Sequence, residues 1–163
     1  MEEIDKKKVI QEFLEFLEKK FQISSEEIIK QVREKEVYEI PISIFDNKEL
    51  SALETICKYL KENLGLTFSK IAELTNRDQR VIGKTYHNAE KKLTKPFAIK
   101  KPGFYIPLSI FKDKSLGVLE ALVYYLKEDK QMTFHKIALL LNRDDRTIWT
   151  TYHRSVKKGG GKI

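Results

Sequence analysis

The chain has 163 residues, 41% hydrophobic and 34% charged, enough for one large or two small globular domains with a densely charged surface. Its formal net charge of +7 favours an acidic partner such as nucleic acid, although Lys- and Glu-rich surfaces also accompany adaptation to heat. No apolar run is long enough for a membrane span, MEEIDKKKVIQEF lacks a signal-peptide layout, and the lone Cys57 excludes a disulfide framework, so a reducing, cytoplasmic setting is expected.

Residues 1–37 read as a helical segment. Val9, Ile10, Phe13, Leu14, Leu17 and Phe21 form an apolar stripe, which either packs on the domain C-terminal to it or makes a homodimer seam. A second short helix is expected after Ser24, with Ser as its cap, Glu26 and Glu27 in its first turn, and Ile28, Ile29 and Val32 as its apolar positions. Val37 to Phe45 (VYEIPISIF) is β-branched, aromatic and proline-containing, and predicts an extended lead or an apolar tether.

From there the chain repeats itself. Thr67–Lys92 (TFSKIAELTNRDQRVIGKTYHNAEKK) and Thr133–Lys158 (TFHKIALLLNRDDRTIWTTYHRSVKK) align without a gap, and IPISIF at Ile40 returns as IPLSIF at Ile106. The period is about 66 residues, with roughly half the aligned positions identical. Domains are therefore expected at 38–95 and 104–158, joined by a Pro/Lys linker at 96–103 and followed by a flexible tail at 159–163.

Each repeat predicts three helices. The first opens on Ser51 with Glu54 as a capping box, or on Gly117, and buries Leu53, Ile56, Cys57 and Leu60, or Leu119, Leu122, Val123 and Leu126. Val123 at the place of Cys57 marks that thiol as a core group rather than a nucleophile. The second helix starts at Thr67 or Thr133 and buries Phe68, Ile71, Ala72 and Leu74, or Phe134, Ile137, Ala138 and Leu140. A tight Asn-Arg-Asp turn follows, in which Asp78 or Asp144 can cap the third helix. That helix turns Ile82, Tyr86 and Ala89, or Ile148, Tyr152 and Ser155, inward.

Three short helices with a tight turn before the third is the layout of a helix-turn-helix reader of DNA, so the expected class is mainly α with two tandem such domains. The span Leu50–Leu93 resembles region four of bacterial sigma factors and, more loosely, LuxR-type domains. The likeness rests on the Leu-Ser-x-x-Glu opening, the Thr-Phe-x-x-Ile-Ala second helix, the polar turn and the basic end of the third helix. Arg146–Lys158 is the closest stretch. In that family a Thr-Val pair opens the recognition helix and Lys-Lys follows it, as Thr147-Ile148 and Lys157-Lys158 do here. Where the family's turn usually has a small residue, this chain has Asn76 and Asn142, which also tolerate left-handed backbone. The resemblance implies sequence-specific binding of double-stranded DNA, transcription regulation, and contact with RNA polymerase or another transcription protein.

If the inward positions hold, Gln79, Arg80, Lys84, His87 and Lys91 face outward on the first repeat. Asp145, Arg146, Thr150, His153, Arg154 and Lys157 do so on the second. Gln suits adenine and Arg suits guanine through paired hydrogen bonds, while later basic residues meet phosphate. Lys70, Lys136, Arg77 and Arg143 flank the turns and are expected to hold the DNA backbone. Arg80 and Arg146 could instead bridge to Asp78 and Asp144, and the two histidines could be plain solvated residues. Trp149 replaces Gly83, so the two faces differ. Two readers in tandem favour directly repeated or asymmetric half-sites.

No histidine spacing suits a metal, no glycine-rich phosphate loop precedes a helix, and no catalytic triad suggests itself, so neither enzyme nor cofactor is expected. The rival readings are a protein-interaction module associated with polymerase and a binder of structured RNA.

Overall fold

A computed structural model describes residues 6–28, 38–99 and 101–159 of a mainly helical protein. The chain divides into two units, Met1–Val37 and Tyr38–Ile163. In the first, helix α1 spans Lys6–Phe21 and leaves Val9, Ile10, Phe13, Phe16 and Phe21 exposed. Ser24 then caps a helical turn at 25–28 by accepting the Glu27 amide at 3.2 Å, and Glu18 accepts from the Ser25 amide and hydroxyl. Ile29, Val32 and Val37 lie outside the described residues. Among the described residues no helix is long and apolar enough to cross a membrane.

The second unit holds both repeats. The first contains strand β1 (Glu39–Pro41), a 3-10 turn at Ile42–Phe45, and helices α2 (Ala52–Lys58), α3 (Phe68–Thr75) and α4 (Gln79–Lys92). The second contains β2 (Tyr105–Pro107), a 3-10 turn at Leu108–Phe111, and helices α5 (Val118–Glu128), α6 (Phe134–Leu140) and α7 (Asp145–Lys157). Each extended lead is thus both a short strand and an apolar plug.

The caps follow the sequence. Ser51 and Glu54 exchange bonds with each other's amides as a capping box, and Glu120 accepts the Gly117 amide at 2.8 Å, supplying the half that glycine allows. Thr67 and Thr133 accept the Lys70 and Lys136 amides. Asn76 and Asn142 take left-handed backbone at φ 52° and 51°. The predicted inner faces form the core, with Ile56, Cys57, Leu60, Ile71, Ile82, Leu122, Val123, Leu126, Ile137 and Ile148 fully enclosed. Leu53, Phe68, Leu74 and Tyr86, and their equivalents Leu119, Phe134, Leu140 and Tyr152, are half-buried against that core rather than enclosed, and Thr151 joins the buried face of α7. Burial pushes the Cys57 thiol up to about 12, which keeps it protonated and inert.

The third helix of each repeat is tied back to the first. Lys92 donates to both oxygens of Glu54 at 2.8 Å, and Lys158 donates to Glu120 at 2.9 and 2.8 Å. Burial raises the pKa of both carboxyls, but the lysine ammoniums and the capped amides outweigh it, so each lies below its ordinary value. A lowered folded pKa contributes stability that is complete above the ordinary carboxylate range and disappears as pH falls through the folded values. The urea midpoint is therefore expected to drop as pH falls below that range, and the double variant Glu54→Gln, Glu120→Gln should flatten this acid limb.

The sequence pattern separates the repeats at 96–103, whereas the structure fuses them. β1 and β2 pair antiparallel, with Ile40 opposite Ile106, Glu39 opposite Pro107 and Pro41 opposite Tyr105. Ile40 and Ile106 are equivalent positions of the repeat, so the pairing is self-complementary about that point, as in an isologous contact. Flanking bonds obey the same exchange: Ile42 N donates to Phe104 O at 2.9 Å, and Leu108 N donates to Tyr38 O at 2.8 Å. The equivalent rings Phe45 and Phe111 meet at 6.4 Å, and α2 packs on its equivalent α5. Each 3-10 turn also packs under the second helix of the other repeat.

The interval between the repeats is itself fastened. Asn63 and Phe97 exchange bonds at 2.9 and 3.3 Å, and Ser43 N reaches Pro102 O at 3.4 Å. Gly103, at φ +74°, lies so near Ile42 that a Cβ would come within 2.8 Å of it. The consequence is a local dyad inside one chain, where the sequence suggested two readers in tandem on a linker.

Candidate functional site

The third helices begin at well-capped N-termini. Asp78 accepts the Arg80 and Val81 amides at 2.8 and 3.3 Å, and Asp144 accepts the Thr147 amide at 2.8 Å and its hydroxyl at 2.6 Å. The Thr147 hydroxyl and amide hold the Asp144 carboxyl below its ordinary value. No ion pair joins Arg80 or Arg146 to an acid among the described residues, although the Arg146 charge adds to what holds the Asp144 carboxyl down.

Enclosure of Ile82 and Ala89 fixes the rotation of α4, and enclosure of Ile148, Thr151 and Ser155 fixes that of α7. Gln79, Arg80, Lys84, His87 and Lys91 are consequently all exposed on α4. On α7, Asp145, Arg146, His153, Arg154 and Lys157 are exposed, and Thr150 is half-buried. Each helix thus displays one continuous solvated face with a net positive charge. The phenols beneath anchor these faces. Tyr86 donates to Glu62 at 3.2 Å and Tyr152 to Glu128 at 2.6 Å. Burial and Glu62 push Tyr86 up to about 12, while the Glu128 bond and burial do the same for Tyr152. Both remain donors at neutral pH.

The histidines are equivalent in position but not in setting. His87 packs edge-on to Phe68 and Tyr86 and lies 3.3 Å from Glu90. His153 lies against Trp149, ring centroids 3.9 Å apart, with Nδ1 2.9 Å from the Trp149 carbonyl. Trp149 is 51% exposed, while a Cβ at Gly83 would meet only a Phe68 ring carbon at 4.0 Å. The second repeat also exposes Leu139 and Val156, where the first has Glu73 and Glu90. Asp145 is engaged by His135 of α6 at 3.1 Å.

The residues flanking the turns divide. Lys70, half-buried, lies 3.4 Å from Glu73, and Lys136 is exposed. Arg77 and Arg143, expected at the DNA backbone, turn inward instead and clasp the other repeat. Arg77 donates to Phe111 O at 2.7 Å and Thr75 O at 2.8 Å, with Asn76 adding a bond to Lys112 O at 3.2 Å. Arg143 donates to Asn47 O at 2.7 Å and Leu50 O at 3.3 Å. A left-handed residue stands just before each arginine, and the carbonyls reached across the dyad, Phe111 at the end of one 3-10 turn and Asn47 and Leu50 beyond the other, need donors. Burial pulls Arg77 below its ordinary value. Sequence reasoning also missed Lys92 and Lys158 as ties to Glu54 and Glu120; their only signal was recurrence at one position. No family model, curated protein or solved structure matches the chain.

Proposed function

We propose that the chain binds double-stranded DNA sequence-specifically through two helix-turn-helix readers, α3–α4 and α6–α7, and regulates transcription in the cytoplasm. The observation that carries this reading is the pair of third helices. Both start at a capped N-terminus with an exposed arginine held in no ion pair, and both continue with exposed histidine and lysine at equivalent positions. Arg80 and Arg146 sit where base edges are met in this layout. Lys84, Lys91, Arg154 and Lys157 lie farther along, where phosphate is met. Lys70 and Lys136 add backbone charge; Arg77 and Arg143 do not belong to this face.

The test is selection of duplexes from a random pool by the full chain, repeated with the double variant Arg80→Ala, Arg146→Ala. Loss of each arginine is expected to cost about 1–3 kcal/mol of discrimination at its base. Salt-dependent non-specific binding should persist, since other cations supply it. Binding that merely tracks salt and is unchanged in the variant would overturn the reading, and preference for folded RNA over duplex would redirect it.

One observation favours a second reading. Leu139, Trp149 and Val156 are exposed on the second repeat alone, which suits a protein contact such as polymerase. Retention of a protein partner by a chain that no longer binds DNA would support it.

A further inference from the structure

We propose that the chain reads a single duplex as two inverted, non-identical half-sites, an intramolecular substitute for a symmetric dimer. This inference rests on the DNA-reading role proposed above. Its own ground is the local dyad. Ile40 pairs with its equivalent Ile106, and the Ile42-to-Phe104 and Leu108-to-Tyr38 bonds are each other's images. The Arg77 and Arg143 clasps cross in both directions. A rotation that carries one repeat onto the other also carries its half-site onto the second half-site, with strand polarity reversed. Two readers so related can share one duplex in equivalent ways only on an inverted arrangement. Tandem order along the chain would suggest direct repeats; the self-complementary pairing of β1 with β2 reverses that expectation.

The half-sites differ because the outward side chains do. Arg80 and Arg146, His87 and His153, and Lys91 and Lys157 are shared. Gln79 is opposed by Asp145, Lys84 by Thr150 and Asn88 by Arg154. Glutamine pairs with adenine, whereas a carboxylate accepts from cytosine, so the position met by Gln79 and Asp145 should carry different bases in the two halves. The position met by the shared arginines should be common to both. The bonds that hold 97, 102 and 104 in place leave no slack for variable spacing.

The test takes the two half-sites enriched by the full chain and builds duplexes bearing one of each, inverted or direct, at every spacing up to about two helical turns. One inverted spacing is expected to bind about 100-fold tighter than any direct arrangement, since only there do both readers engage at once. Equal affinity for direct repeats, tolerance of any spacing, or one chain bridging two single-site duplexes would overturn the inference while leaving DNA reading intact. Absence of any enriched half-site would overturn the DNA reading itself, and the inference with it. The variant Asp145→Gln, Thr150→Lys should shift the second half-site toward the first; an unchanged second half-site would show that these positions do not set the asymmetry.

Discussion

The double variant Arg77→Ala, Arg143→Ala is expected to lose about 3–6 kcal/mol of stability, because each guanidinium donates charged hydrogen bonds to half-buried carbonyls of the opposite repeat. The affected acceptors are Phe111 O on one side and Asn47 O and Leu50 O on the other. Alanine leaves each of these carbonyls short of a donor near the dyad. A domain of this size holds about 5–15 kcal/mol in all, so the double variant should be barely folded at 25 °C and each single variant clearly weakened. Urea unfolding followed through Trp149, the sole tryptophan and a residue of the second repeat, gives the readout. Arg77→Ala, although it alters a turn of the first repeat, should lower the Trp149 midpoint. A midpoint unmoved by Arg77→Ala would mean that the repeats unfold separately and the clasp is ornamental. By contrast, Arg80→Ala and Arg146→Ala lie on exposed helix faces and should change stability by no more than about 0.5 kcal/mol.

The contrast between those two pairs of arginines marks where sequence reasoning stops. All four recur in the repeat within one short stretch, Arg77 to Arg80 and Arg143 to Arg146. Recurrence says that each position has a job; it does not say whether that job is outside or inside. The helix caps were legible because Ser51, Thr67, Asp78, Thr133 and Asp144 act on amides two or three residues away. Left-handed Asn76 and Asn142 were legible for the same local reason. The outward faces came from the period of the apolar residues. The joints between the repeats could not be read that way, because every such contact links residues far apart in the chain. IPISIF and IPLSIF are identical in kind, and nothing within either one says that its strand partner is the other or that the pairing is antiparallel. The proline- and lysine-rich interval read as a linker by composition, yet Asn63 bonds Phe97 and Ser43 bonds Pro102 within it, and Ile42 bonds Phe104 just beyond it.

Glu62→Leu should be the most damaging single substitution in the first repeat, costing about 3–5 kcal/mol by stranding a buried cation. The Lys58 side chain has 0% exposure, and its Nζ lies 2.6 and 2.7 Å from the two Glu62 oxygens. Glu62 also accepts from Tyr86 of α4, so its loss frees the helix that carries Arg80 as well. The second repeat shows that the ion pair is dispensable when both charges are considered together. Tyr124 stands where Lys58 does, stacked on Tyr152 at 6.3 Å, while Glu128 keeps the tyrosine bond alone. Adding Lys58→Met to Glu62→Leu should therefore recover most of the loss, because an apolar pair of similar volume replaces two charges that had to be desolvated. Thermal or urea midpoints of the two single variants and the double one form a cycle that isolates the pair. A double variant no better than Glu62→Leu would place the stabilisation in the Tyr86 bond rather than in the neutralised lysine. Followed through Trp149, the same cycle also reports on the dyad, since the tryptophan lies in the repeat that none of these substitutions touches.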